Sequence, residues 1–180
     1  MALETLVAPA TEPVTLAQAR AFLRIGTDGD DLVLTSLLIA AREAFEARTG
    51  RALITRTLRQ SFLGLGRTEI RGRSILVPGR GPVTSLVAVR LIARDGTQAP
   101  APATLVVLIE GRFVRTASLS PTVAGLSIDY QAGYGTSTAS VPEACKVSIL
   151  EAVADALTRR DNGNLDGGQS WDDVVHEVKL

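Results

Sequence analysis

The spacing of apolar positions changes twice along this chain. Leu3–Pro13 shows no period and reads as an extended arm. Thr15 then presents a helix N-cap, and Gln18 completes a T-x-x-Q capping box three residues on. A short helix over about 15–24 follows, with Leu16, Ala19 and Leu23 to one side, until Ile25-Gly26-Thr27 interrupts it. A longer helix is expected over about 30–49. There Leu34, Leu38, Ala41 and Phe45 recur at i, i+4, i+7 and i+11. Asp28, Asp30 and Asp31 suit its positive pole, Arg42 and Arg48 lie near its negative end, and Gly50 suits the position past it. Leu37, Ala40 and Ala44 widen the apolar stripe to a second side. A helix of this kind is either wholly buried or packs its own domain on one side and a neighbouring subunit on the other.

From Arg51 the period shortens to β-type runs. Leu53–Leu63, Ile75–Val77, Val83–Ala93, Thr104–Ile109, Arg112–Arg115 and Leu126–Tyr130 are strand candidates. Asp95-Gly96 and Glu110-Gly111 are hairpin signals, and Gly133-Tyr134-Gly135 is a closing turn. The helical period returns over about 141–160. Ser140 and Glu143 are spaced as a capping box, Pro142 suits the first turn, and Val147, Leu150, Ala154 and Leu157 mark one face. Beyond it Asp161–Gln169 is rich in Gly and Asn. The chain ends with Trp171, Val174, Val175, Val178 and Leu180, too few residues for a core and too apolar for a purely solvating tail.

Strands grouped between helices predict an α+β fold. The expectation is a single domain over 1–160. It has two N-terminal helices, an antiparallel β insertion over about 51–135 and one C-terminal helix, followed by a flexible, extended tail over 161–180.

Composition refines this picture. Hydrophobic residues make up 46% and aromatics 4%, so the core must be built from aliphatic side chains. The formal charge is zero, which removes any global attraction to nucleic acid. Residues 1–90 carry twelve Arg against eight acids, net +4. Residues 91–180 carry seven basic groups against eleven acids, net −4. A chain with a basic and an acidic half can pair with copies of itself, or it simply has two differently solvated faces. The Arg-rich stretch 48–80 holds one aromatic residue, Phe62, so it lacks the interleaving of a single-strand binder and reads as a solvated strand face. No run approaches the ~18 apolar residues of a membrane helix, and Met1–Pro13 has no signal-peptide pattern. A soluble protein without membrane association, made in a reducing compartment, is expected.

No catalytic constellation stands out. His176 is the only His and lies in the expected tail, a poor platform for a catalytic base. Cys145 stands alone in the first turn of a helix, where a buried structural role is the ordinary one. The Gly pairs at 64/66 and 79/81 lack phosphate-loop spacing and read as turns. Asp28, Asp30 and Asp31 resemble the start of a calcium loop, but no Gly stands at its sixth place and no Glu at its twelfth, so helix capping is the better reading. No enzyme activity, metal or cofactor is expected.

One set of residues is familiar. It runs Glu12-Pro13-Val14-Thr15-Leu16-Ala17-Gln18-Ala19-Arg20, Leu23-Arg24 and Asp30-Asp31. It continues through Leu37-Leu38-Ile39-Ala40-Ala41-Arg42-Glu43 and Thr49-Gly50-Arg51-Ala52-Leu53-Ile54. Later landmarks are Leu76-Val77-Pro78, Val83-Thr84-Ser85-Leu86, Asp95-Gly96 and Tyr130–Gly135 before Val141-Pro142. From Glu12 to Arg160 the chain resembles the HK97-type phage head–tail connectors, also called adaptor or head-completion proteins, in a longer subgroup with a β insertion. The resemblance implies a non-enzymatic virion neck protein, made in the bacterial cytoplasm. It would form a ring of twelve copies docked on the portal, with a stopper protein on its tail side. DNA would pass through its channel without sequence recognition. The helices form the ring in such proteins, which points to Leu37, Ala40, Ala44 and Arg48 as ring contacts. Their C-terminal segment reaches the portal, which points to Trp171, Val174, Val175, Val178 and Leu180. The tail beyond Asp161 matches no motif of the family. Only Lys146 and Lys179 of the 19 basic residues are Lys, and this skew towards Arg, with abundant Ala and Gly, suggests a GC-rich genome, which also suits a domesticated particle such as a gene transfer agent. A stopper or tail terminator is the alternative, and a small hydrolase built on His176 the more distant one.

Overall fold

The computed structural model describes residues 2–26, 31–64 and 74–161. They fold as two compact units. One comprises the described residues within 2–9 and 55–134, the other those within 10–54 and 135–161.

The second unit is helical. α1 (Leu16–Leu23) begins at the expected capping box. The Gln18 backbone N–H donates to Thr15 Oγ1 at 3.2 Å, and the Thr15 N–H donates to Gln18 Oε1 at 2.9 Å. α1 stops one residue before the predicted breaker, because Arg24 itself turns left-handed at φ 57° and returns its N–H to the Arg20 carbonyl. α2 (Asp31–Thr49) buries Leu34, Leu38, Ala41 and Phe45, the predicted stripe. Gly50 follows at φ 65°, and its N–H reaches the Glu46 carbonyl. α3 (Glu143–Asp161) packs on α2. Its buried face keeps Leu150 and Leu157 of the expected one and adds Cys145, Ile149 and Val153, whereas Ala154 is half-buried and Val147 exposed. The buried face is thus rotated from the expected one towards Cys145 and Ile149.

The first unit is built of strands. A five-stranded antiparallel sheet has the order β1 (Ala2–Val7), β2 (Arg56–Leu63), β8 (Val123–Ala132), β4 (Val83–Ala93), β5 (Gln98–Pro100). A three-stranded sheet has the order β3 (Ser74–Leu76), β7 (Arg112–Arg115), β6 (Val106–Ile109). The two hairpin signals are both turns. Gly96 has φ 88° between β4 and β5, and Glu110-Gly111 joins β6 to β7 with φ 48° and 73°, the paired positive values of a type I′ turn. The sheets meet through aromatic rings. Phe113 of β7 stands edge-on to Phe62 of β2 at 6.5 Å and to Tyr130 of β8 at 5.1 Å. Burial pushes the Tyr130 hydroxyl up to about 12, so it stays neutral, and it donates to Gln60 Oε1 at 3.3 Å.

β1 is a difference from the sequence reading, which has an arm there. All six of its residues are exposed, and it is held by antiparallel pairing with β2. A strand fixed by backbone hydrogen bonds alone leaves no burial pattern to read.

β8, in the middle of the larger sheet, is covered on both faces. Leu126, Ile128 and Tyr130 are buried on one side, Ser127 and Asp129 on the other. Asp129 is clamped from both neighbouring strands. Arg59 of β2 donates at 2.7 and 2.9 Å, and Arg90 of β4 at 2.8 Å. Burial disfavours the Asp129 carboxylate, but the hydrogen bonds and charges of the two guanidiniums outweigh it and hold the group below the usual carboxylate range. A depressed acid stabilises the fold above its unfolded pKa of about 3.9, and that contribution is lost as pH falls through the folded value. Asp129→Asn is expected to cost roughly 1.5–3 kcal/mol at neutral pH. Urea titrations of both proteins at neutral pH and at a pH well below 4 check this. The cost should shrink in acid, and an equal cost at both values would contradict the assignment.

Candidate assembly surfaces

The outer side of α2 is the first candidate. Leu37, Ala44 and Arg48 are half-buried and Ala40 is exposed. Leu32 is 85% exposed, and Val33 and Ile39 are also exposed. The predicted ring-contact residues thus remain at the surface of their unit, beside further apolar side chains that the sequence reading did not single out.

This surface rests on a buried ionic cluster. Arg42 is almost wholly buried on α2. Its Nε donates to Glu12 at 2.7 Å, one terminal nitrogen to Glu46 at 3.1 Å and the other to Glu43 at 3.3 Å. Burial works against the Arg42 charge, yet the carboxylates of Glu12, Glu46 and Glu43 prevail and raise its pKa. The second oxygen of Glu46 accepts the Leu53 N–H at 2.9 Å. One side chain pair therefore ties α2 to the segment before α1 and to the segment after α2. Glu12, Arg42, Glu43 and Leu53 all belong to the residues that carry the connector resemblance. The i, i+4 spacing of Arg42 and Glu46 was the available sequence signal for the pair.

The second candidate is an apolar groove between α1 and α3. Its volume is 290 Å³, and Val14, Gln18, Ala21, Phe22, Glu143, Lys146, Val147 and Leu150 line it. Lys146 also donates to Glu143 at 2.7 Å. Residues of α1 and α3 are more than a hundred positions apart in sequence, so no local pattern announces the groove.

The Arg-rich stretch is in part structural. Arg59 serves Asp129, and Arg56 is buried. Arg80 donates to the Gly79 carbonyl at 3.0 Å. Arg67, Arg71 and Arg73 lie outside the described residues, as do Asp28 and Asp30. So do Trp171, Val174, Val175, Val178 and Leu180 of the expected portal-binding tail, and His176. Cys145 is fully buried, and burial raises its thiol pKa, opposite to what a nucleophile requires. Among the described residues no three His, Cys, Asp or Glu side chains form a metal-holding group, and no helix is long and apolar enough to cross a membrane.

Comparison with known proteins agrees with the resemblance. Residues 13–75 match the family described as phage gp6-like head-tail connector protein. No curated protein matches the chain. Among solved structures, a chain of "Neck of empty GTA particle computed with C6 symmetry" is similar at 27% identity and a TM-score of 0.73, over 94% of this chain and 88% of that one. A chain of "Neck of native GTA particle computed with C12 symmetry" is similar at 26% identity and a TM-score of 0.72, over 94% and 88%. A chain of "Virion of native gene transfer agent (GTA) particle" is similar at 26% identity and a TM-score of 0.72, over 94% and 89%.

The ionic cluster yields a direct test. Arg42→Leu removes the buried guanidinium that Glu12 and Glu46 share and should cost about 3–5 kcal/mol. Arg42→Leu combined with Glu46→Leu removes the buried carboxylate as well and should cost less than the two single losses together. Equilibrium denaturation of both single variants and the double variant measures the coupling. Additive losses would contradict a shared cluster.

Proposed function

We propose that this chain is a structural protein of a particle neck, an adaptor whose copies form a ring between the portal and the tail and extend the channel for DNA. The likeness over 94% of its length to chains of gene transfer agent necks carries this reading. The connector match at residues 13–75 supports it from sequence. One of the similar necks was computed with C12 symmetry and another with C6, both compatible with the twelve-membered ring assigned to this chain.

In a ring of more than two copies each copy must offer two different surfaces. The outer side of α2, with Leu37, Ala40, Ala44 and Arg48, is assigned as one of them. Small residues such as Ala40 and Ala44 allow close approach of a neighbouring backbone, and Leu37 supplies apolar area. Trp171, Val174, Val175, Val178 and Leu180 are assigned to the portal. Burying a side chain of that type contributes about 1.5–3 kcal/mol before ordering costs are subtracted. A stopper protein would follow on the tail side. DNA would be passed through and not read, in keeping with a formal charge of zero. The location is the virion neck, after synthesis in the bacterial cytoplasm. A stopper or tail terminator is the competing reading, with the same composition and different neighbours. No enzymatic role is assigned.

The surface position of Ala40 makes it a clean probe. Ala40→Glu should leave the denaturation midpoint within about 0.5 kcal/mol of the parent while abolishing ring assembly on purified portal. Light scattering and negative-stain images of the mixture check both. Unimpaired ring assembly by this variant would remove α2 from the subunit boundary. Failure of the parent protein to bind portal would favour the stopper or terminator reading.

A further inference from the structure

The groove between α1 and α3 has no partner within the described residues, although its walls are apolar. Phe22 is 46% exposed and Val147 41%. At 290 Å³ it is slightly smaller than the ~300–1,000 Å³ of small-molecule sites and suits one or two side chains. The single Trp of the chain, Trp171, lies ten residues beyond the end of α3 at Asp161. Trp171, Val174, Val175 and Val178 recur at i, i+3, i+4 and i+7, the spacing of segments that lay one apolar side into a groove.

We propose that before assembly the chain's own C-terminal segment folds back along α3 and seats Trp171 in this groove, against Phe22 and Val147. Reach permits it. From Asp161 back to Val147 α3 runs fourteen residues, about 21 Å at 1.5 Å per residue. The nine residues 162–170 span about 30 Å when extended. A segment turned back along α3 therefore meets the groove of its own chain. The short connection also gives it an effective concentration on the order of millimolar, which a segment from another copy does not have at ordinary protein concentrations. Covering a Trp- and Val-rich end in this way removes an aggregation liability from the unassembled protein. The portal would then take over a segment that had been shielded until that moment. Only this hand-over rests on the adaptor reading, and occupancy of the groove does not.

Trp171 reports its own surroundings by fluorescence. In the isolated full-length chain its emission should be blue-shifted and shielded from acrylamide relative to the same protein in denaturant. Val147→Asp and the milder Val147→Ser should each shift emission to the red and raise quenching, with the far-ultraviolet circular dichroism unchanged. The parent signal should not vary on dilution. Emission of a solvent-exposed indole in the parent would overturn the proposal. So would shielded emission that neither substitution moves, or shielding lost on dilution, which assigns the groove to another copy. Portal binding by Trp171→Ala separates the two readings. An exposed Trp171 that is still needed for portal binding sinks the groove and keeps the anchor. A shielded Trp171 that is dispensable for portal binding does the reverse.

Discussion

The buried pairing of Arg42 with Glu46 and Glu12 is the interaction on which the helical unit depends. A guanidinium in this position is costly to desolvate and is tolerated only because three carboxylates surround it. The same carboxylates give the cluster its directional content. Glu12 lies before α1, Glu46 lies on α2, and Glu46 also holds the Leu53 N–H beyond α2. α2 is thereby fixed in rotation. Leu34, Leu38, Ala41 and Phe45 face the core, and the Leu37–Ala40–Ala44 side is left outside. An apolar surface that is held in place, and is not free to roll inwards, is what a subunit contact requires.

The β unit solves a similar problem in another way. β8 is covered on both faces, and Asp129 is the polar group this burial strands. Two Arg side chains from the flanking strands neutralise it, so part of the basic character of the 48–80 stretch is internal architecture and not a surface for phosphates. On the opposite face Phe113, Phe62 and Tyr130 join the two sheets in a chain otherwise poor in aromatic residues.

Much of this was legible from sequence where local chemistry decides. The Thr15–Gln18 box, the α2 stripe, β4 from Val83 to Ala93 and the Asp95-Gly96 turn all depend on neighbours within a few residues. The misses share a cause. β1 is held by backbone pairing and buries nothing, so it has no hydrophobic signature. The buried face of α3 keeps the expected Leu150 and Leu157 but is rotated towards Cys145 and Ile149, leaving Val147 outside, because packing on α2 and not the period alone sets the rotation. Arg59 and Asp129 are seventy positions apart, and the groove joins helices farther apart still. The side of α2 left outside the core was readable as an excess of apolar positions, whereas the exposed Leu32 beside it was not singled out.

A helical unit with exposed apolar side chains on α2, a β unit with an internally neutralised core and a terminal segment rich in Val around the only Trp make sense as parts of an assembly. The most direct measurement is cryo-electron microscopy of the full-length protein reconstituted with its portal. The account predicts one ring of twelve copies seated on the portal, with Leu37, Ala40 and Ala44 at each subunit boundary and Trp171 against portal density. Copies that bind only to the tail side, or a ring with α2 turned to solvent, would contradict it.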